Sequence, residues 1–130
     1  MRTAEINKWI KEGGDLPENL TEKEKEYLEE LGWEAFEGRH KNAQRSYVKN
    51  FLNGQWHGKW EGWFENGQRS YVESWLNGQR HGKWEGWFAN GQKRYEKSFI
   101  YGMKHGTKKE WDSNGELLLH EEYYYGNKIE

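Results

Sequence analysis

The chain has 130 residues, enough for one domain and little more, with 33% hydrophobic and 32% charged residues and a formal net charge of −2. So high a charged fraction leans toward disorder, but nine Trp, eight Tyr and five Phe exclude it, because large rings supply burial without many aliphatic residues. The absence of cysteine excludes a disulfide framework and a cysteine-based zinc site. Nor is there an apolar run of signal-peptide or membrane-spanning kind, so a cytoplasmic protein is expected.

Two helices come first. In "TAEINKWIKEGG", Ile6, Trp9 and Ile10 recur at helical spacing and Gly13-Gly14 ends the element. In "LTEKEKEYLEELG", Thr21 and Glu24 form a capping-box pair, Tyr27, Leu28 and Leu31 make the apolar stripe, and Gly32 ends it. The acidic run of this second helix is read as a solvated face. Residues 1–41 carry 7 basic and 11 acidic side chains and residues 42–130 carry 13 and 11, so neither part is a polyanion-binding arm.

From there a period of 24 residues takes over. Asn42, Asn66, Asn90 and Asn114 open successive units, 42–65, 66–89, 90–113 and a truncated 114–130. Rings recur in phase: Tyr47, Tyr71, Tyr95; Phe51, Trp75, Phe99; Trp63, Trp87, Trp111. Such regularity means a quasi-linear array of one supersecondary unit. "LNGQ" at 52–55 and 76–79 encodes a two-residue type I′ hairpin turn, and "ENGQ" and "ANGQ" repeat the Asn-Gly signal at the other end. Two turns per unit leave about ten residues per strand. The chain therefore divides into a helical segment, 1–32, and a repeat sheet, 33–130. The expected fold is α+β, two helices followed by a single-layer antiparallel meander of about eight strands, at 33–40, 44–52, 55–64, 68–76, 79–88, 92–100, 103–111 and 117–124.

Registering the turns places Phe51 opposite Trp56, Tyr47 opposite Trp60, Tyr71 opposite Gly62 and Trp75 opposite Gly58. Cross-strand partners share a face, so large rings sit against bare glycine, a reason for glycine inside a strand. The opposite face carries Val48, Leu52, Val72, Leu76, His57 and His81, with Trp63 and Trp87 further along.

At "YVESWLNGQRHGKWEGWFANGQ" the chain resembles the MORN repeat in a variant form, roughly Y-x-N-G-x-x-H-G-x-W-x-x-Y-x-x-N-G. Residues 44–92 match closely and the resemblance continues across about 33–126. Tyr101-Gly102 replaces Asn-Gly, Lys108 stands where Trp60 and Trp84 stand, and Glu110 replaces Gly62 and Gly86. What the resemblance implies is a curved antiparallel sheet used as an interaction surface. Bacterial proteins of this variant are similar to the YwqK-like group, described as antitoxins or immunity proteins.

Three further kinds of chemistry bear on these residues. His57, His81 and His105 lie two strands apart, about 9.5 Å, too far for nitrogens about 3 Å apart on one metal, so no metal or other cofactor is expected. Glu61 and Glu85 recur but Lys109 breaks the series, and Ser46, Ser70, Ser74 and Ser98 lie in strands without a strained elbow, so no enzyme is expected. Rings alternating with Arg45, Lys49, Arg69, Lys83, Arg94 and Lys97 suit base stacking, yet the repeat region is too near neutral for the phosphate or anionic-lipid term.

The expected function is non-catalytic binding of another protein, most simply a toxin blocked by an antitoxin or immunity protein. The alternatives are a phage- or mobile-element-encoded inhibitor of a host defence enzyme, and a lipid- or nucleic-acid-binding repeat module. The expected partner-binding face comprises Trp60, Tyr71, Glu73, Trp75, Trp84, Tyr95, Lys97 and Phe99, since Trp, Tyr and cations are typical of binding hot spots. The other face offers His57, Trp63, His81, Trp87 and Trp111.

Overall fold

Helix α1 (Thr3–Glu12) and helix α2 (Glu22–Glu30) fall where the apolar spacing puts them, in a computed structural model that describes residues 1–130. Thr21 Oγ1 accepts the Glu24 N–H at 3.1 Å and Glu24 Oε1 accepts the Thr21 N–H at 2.9 Å, the reciprocal cap encoded by Thr-x-x-Glu. The buried Glu24 carboxylate also accepts two bonds from the Arg2 guanidinium, at 2.7 and 3.0 Å, which ties the start of α1 to the start of α2. The Arg2 bonds, reinforced by the Thr21 N–H, hold the Glu24 carboxyl well below the usual carboxylate range. Ile6, Trp9 and Leu28 are buried together with Leu52 of the sheet, and Ile10 and Tyr27 pack beside them. Leu31, expected on the apolar stripe, is instead the C-cap of α2 and 40% exposed, because the helix has already ended at Glu30.

The remaining chain is one antiparallel sheet. Its strands are β1 (Trp33–Arg39), β2 (Arg45–Leu52), β3 (Gln55–Trp56), β4 (Gly58–Trp63), β5 (Arg69–Leu76), β6 (Gln79–Arg80), β7 (Gly82–Trp87), β8 (Lys93–Ile100), β9 (Met103–Lys104), β10 (Gly106–Trp111), β11 (Leu117–Tyr124) and β12 (Asn127–Ile129). Long strands neighbour in the order β1-β2-β4-β5-β7-β8-β10-β11-β12, and the short β3, β6 and β9 pair with β2, β5 and β8. Each long strand thus lies beside the long strands before and after it in sequence, as a meander requires.

Twelve strands replace the eight expected, and three of the four additional strands have one recurring cause. The segments 55–64, 79–88 and 103–111 each break at His-Gly, where Gly58, Gly82 and Gly106 have φ of +77°, +91° and +92°. A left-handed residue cannot continue a pleated strand. The break inserts two residues: Phe51 pairs with Trp56 as expected, but Tyr47 pairs with Gly62 rather than with Trp60. The carbonyl of Asn50 beside the break accepts both the His57 N–H and the Trp60 indole N–H, at 3.1 and 2.9 Å. The Ser74 carbonyl does the same for His81 and Trp84, at 3.1 and 2.8 Å. The twelfth strand, β12, pairs Asn127–Ile129 against the end of β11.

The turns divide into two kinds. Asn53-Gly54 and Asn77-Gly78 have positive φ at both residues, as a type I′ turn requires, and Tyr101-Gly102 and Tyr125-Gly126 take the same shape without Asn. At the other end only the glycine of Asn66-Gly67 and Asn90-Gly91 is left-handed. There the Phe64 N–H bonds the Gln68 carbonyl and the Gly67 N–H bonds the Phe64 carbonyl, and the pairing slips by one residue between Gly62 and Trp63. These are three-residue loops with a bulge, not a second set of two-residue turns.

Side chains link successive turns along both edges. Asn42, Asn66 and Asn90 each accept the N–H two residues on and donate through Nδ2 to the carbonyls of Glu65, Ala89 and Ser113, at 2.9–3.0 Å. On the opposite edge, Nδ1 of His57, His81 and His105 accepts the N–H of Asn77, Tyr101 and Tyr125, at 3.0–3.2 Å.

Candidate functional site

Pairing and strand alternation bring the eight expected partner-binding residues to one face. Gly58, Trp60 and Gly62 of β4 stand opposite Trp75, Glu73 and Tyr71 of β5, and Gly82, Trp84 and Gly86 of β7 opposite Phe99, Lys97 and Tyr95 of β8. Gly62 and Gly86 are required sterically by the rings opposite, whereas a Cβ on the left-handed Gly58 or Gly82 would meet Trp9 or Ser74, so Trp75 pairs with Gly58 but does not pack on bare glycine there. A Cβ on Gly62 would lie 2.2 Å from the Tyr71 ring, and one on Gly86 would lie 2.3 Å from that of Tyr95. The rings form a row, with centroids 5.5 Å apart for Trp60–Trp75, 5.1 Å for Trp75–Trp84 and 5.3 Å for Trp84–Phe99.

This face is both core and surface. Trp60, Trp75, Trp84 and Phe99 are only 7%, 7%, 5% and 3% exposed, so they hold the sheet together. Tyr71, Glu73, Tyr95 and Lys97 are half-buried and remain within reach of a partner. Trp56, absent from the expected set, is 44% exposed and stacks edge-on against Trp75 at 4.4 Å. Phe36 and Tyr47 are exposed at the β1 end of the same row.

Charges lie over these rings. Lys49 Nζ is 4.9 Å from the Trp60 ring centroid, the Arg80 guanidinium 5.4 Å from that of Trp84, Lys97 Nζ 5.0 Å from that of Tyr95, and Lys104 Nζ 5.1 Å from that of Tyr123. Burial pushes the Glu73 carboxyl up, against the pull of the Trp75 indole and of Lys49, Lys97 and Arg80. The Trp75 indole N–H completes no hydrogen bond. Burial pushes the Lys97 ammonium down, and Lys108 and Arg80 add to that shift. Sequence reading missed Lys49, Arg80 and Lys104 as members of this face. The turn register that puts Trp56 opposite Phe51 also puts Arg80 opposite Trp75 and Lys104 opposite Phe99, since all three fall in the 24-residue phase.

The alternative set is dispersed. His57 is 0% exposed beneath α1: its Nε2 lies 2.7 Å from the Trp9 carbonyl, its Nδ1 accepts the Asn77 N–H, and its ring meets Trp9 edge-on. Burial pushes its pKa down, and no partner can touch it. His81 is half-buried and holds the Tyr101 N–H. Trp63 lies under Arg45 at 5.0 Å, Trp87 lies under Arg69 at 5.7 Å, and Trp111 is half-buried. Glu61 pairs with Lys59 and Arg69, and Glu85 pairs with Lys83 and Lys93. Lys93 helps hold the Glu85 carboxyl below its ordinary value, against the opposing effect of burial.

No helix is long and apolar enough to cross a membrane. No family model matches the chain, and no curated protein or solved structure matches it either.

Proposed function

We propose that the chain is a non-catalytic protein-binding module built from MORN-variant repeats, acting in the cytoplasm as an antitoxin or immunity protein that occludes an enzyme. One observation carries this reading. The helices pack against Leu52 on one side of the sheet, while the row from Trp56 to Phe99 occupies the other side with half-buried rings and charges along it. Such a surface fits the features of a binding hot spot, a packed aromatic centre ringed by polar groups. The recurring carboxylates Glu61 and Glu85 are engaged in ion pairs, which suits a scaffold better than acid–base work.

The test is capture of a partner by the tagged full-length chain from its native cell, followed by titration of the purified pair. A single enriched enzyme that binds saturably and loses activity on binding supports the proposal. A captured protein whose activity is unaffected, or no saturable partner, contradicts it.

A further inference from the structure

The cations of the two faces differ in what they meet. On the helix-bearing side, Arg39 and Arg45 pair with Glu37, Lys59 and Arg69 with Glu61, and Lys83 and Lys93 with Glu85, at 2.7–3.7 Å. On the aromatic side, Lys49, Arg80, Lys97 and Lys104 form no ion pair and lie over rings instead. A ring quadrupole positions a cation without neutralising it. Of the carboxylates on this side, Glu110 stands opposite Tyr95 and pairs with Lys108 at 4.0 Å, Glu121 pairs with Lys128 at 2.8 Å, and Glu73, opposite Trp60 and nearest the four free cations, is unpaired. Lys97 is crowded by Lys108, Arg80 and Lys104, with Glu110 opposing them, so an added carboxylate would relieve it.

We propose that the aromatic face receives an acidic protein segment, whose carboxylates meet Lys49, Arg80, Lys97 and Lys104 while its apolar side chains lie on Trp56, Tyr71 and Tyr95. This rests on the protein-binding reading above and names the chemistry of its partner.

Geometry sets the spacing of that segment. Lys49 lies over Trp60, Glu73 stands opposite Trp60, and Lys97 opposite Trp84, so charges and Trp rings alternate along one row. From β2 to β8 the row takes four strand steps, about 19 Å, the reach of about six extended residues. The complementary segment carries carboxylates at its two ends and a neutral or basic residue over Glu73. That central carboxylate, with a net charge of −2, opposes a continuous phosphate backbone and favours discrete carboxylates.

The probe is a fluorescein-labelled peptide of about ten residues with Glu near both ends and a Leu-Lys-Leu centre, titrated into the full chain at low salt by anisotropy. Saturable binding is expected, weakened roughly tenfold or more by Arg80→Gln with Lys97→Gln and unchanged by Lys83→Gln with Lys93→Gln on the other side. Thermal melts establish that each variant is folded, and Lys49→Gln with Lys104→Gln replaces the first pair if that pair does not fold. Equal binding by the aromatic-face variant, equal loss in the control pair, or tighter binding of a single-stranded DNA of matched charge overturns the proposal. If the captured enzyme binds the chain while the peptide does not discriminate, the acidic assignment falls and the protein-binding reading stands. If the peptide discriminates but no enzyme is captured, the converse holds.

Discussion

At the residue scale, His57 carries more of the fold than its place beside a glycine suggested. Its Nδ1 accepts the Asn77 N–H, so the proton sits on Nε2, which donates to the Trp9 carbonyl. Protonating Nδ1 would break the first bond, and burial opposes the charge as well. Its folded pKa is therefore below the ordinary 6.5, and the unfolded chain binds the extra proton. The contribution is complete above pH 6.5 and is lost as pH falls through the folded pKa. Glu24 acts in a separate window: its contribution is complete above about 4.5 and is lost progressively as pH falls below that toward its depressed folded pKa. His57→Gln should cost about 1–3 kcal/mol at neutral pH and should flatten the decline of Tm just below pH 6.5. A decline as steep as the parent's assigns that window to another group.

Gly62 tests the other residue-scale device, bare backbone beneath a ring. Its own φ is not left-handed, so the cost of Gly62→Ala is the 2.2 Å approach to the Tyr71 ring. A loss of about 1–3 kcal/mol is expected, most of it recovered in the background of Tyr71→Ala. Additive losses in a denaturation cycle would place the strain elsewhere. This pairing was legible in the sequence, because Tyr and Gly keep fixed distances from each Asn-Gly turn. The role of His57 was not, because its partner Trp9 lies 48 residues away on a helix outside the repeating pattern.

At the scale of elements, the helices, the meander and the strand limits near Leu52, Leu76 and Ile100 followed from periodicity and turn chemistry. The strand count did not. His-Gly reads as the opening of a strand, yet its glycine is left-handed and its histidine staples the next hairpin, so each long segment divides in two. Tyr101-Gly102 shows the converse: the turn keeps its shape though Asn is missing, held by the His81 bond and by the Gly102 N–H to the Arg80 carbonyl at 2.7 Å. Tyr101 then sits at φ +45°, which an aromatic residue adopts at a cost. Tyr101→Asn should raise stability by about 0.5–1 kcal/mol, and an unchanged or lowered denaturation midpoint would show that the His81–Tyr101 ring contact outweighs the strain. The 24-residue phase predicts a second outcome at this scale. Deleting residues 66–89 should leave a cooperative melt, whereas deleting twelve residues reverses the direction of the next strand and should abolish it. The opposite ranking would refute a repeating unit.

At the scale of the whole molecule, only 15 of 130 residues are buried, and the sheet takes its cohesion from a ring row that is also its free surface. That double use explains why the sequence showed which residues share this face but not which of them stay exposed. Trp60, Trp75, Trp84 and Phe99 were legible as members, and burial turns them into support. The cations that distinguish this face stood out only once the ion pairs of the other side were visible. The central claim is that partners bind here, on charges that the fold itself does not use. The most direct measurement is the affinity of the captured enzyme for Lys97→Glu compared with Lys83→Glu, each with a melting temperature near that of the parent. Loss of about 2 kcal/mol or more in binding for Lys97→Glu, with Lys83→Glu close to the parent, is the predicted result; equal affinity of the two variants would contradict it.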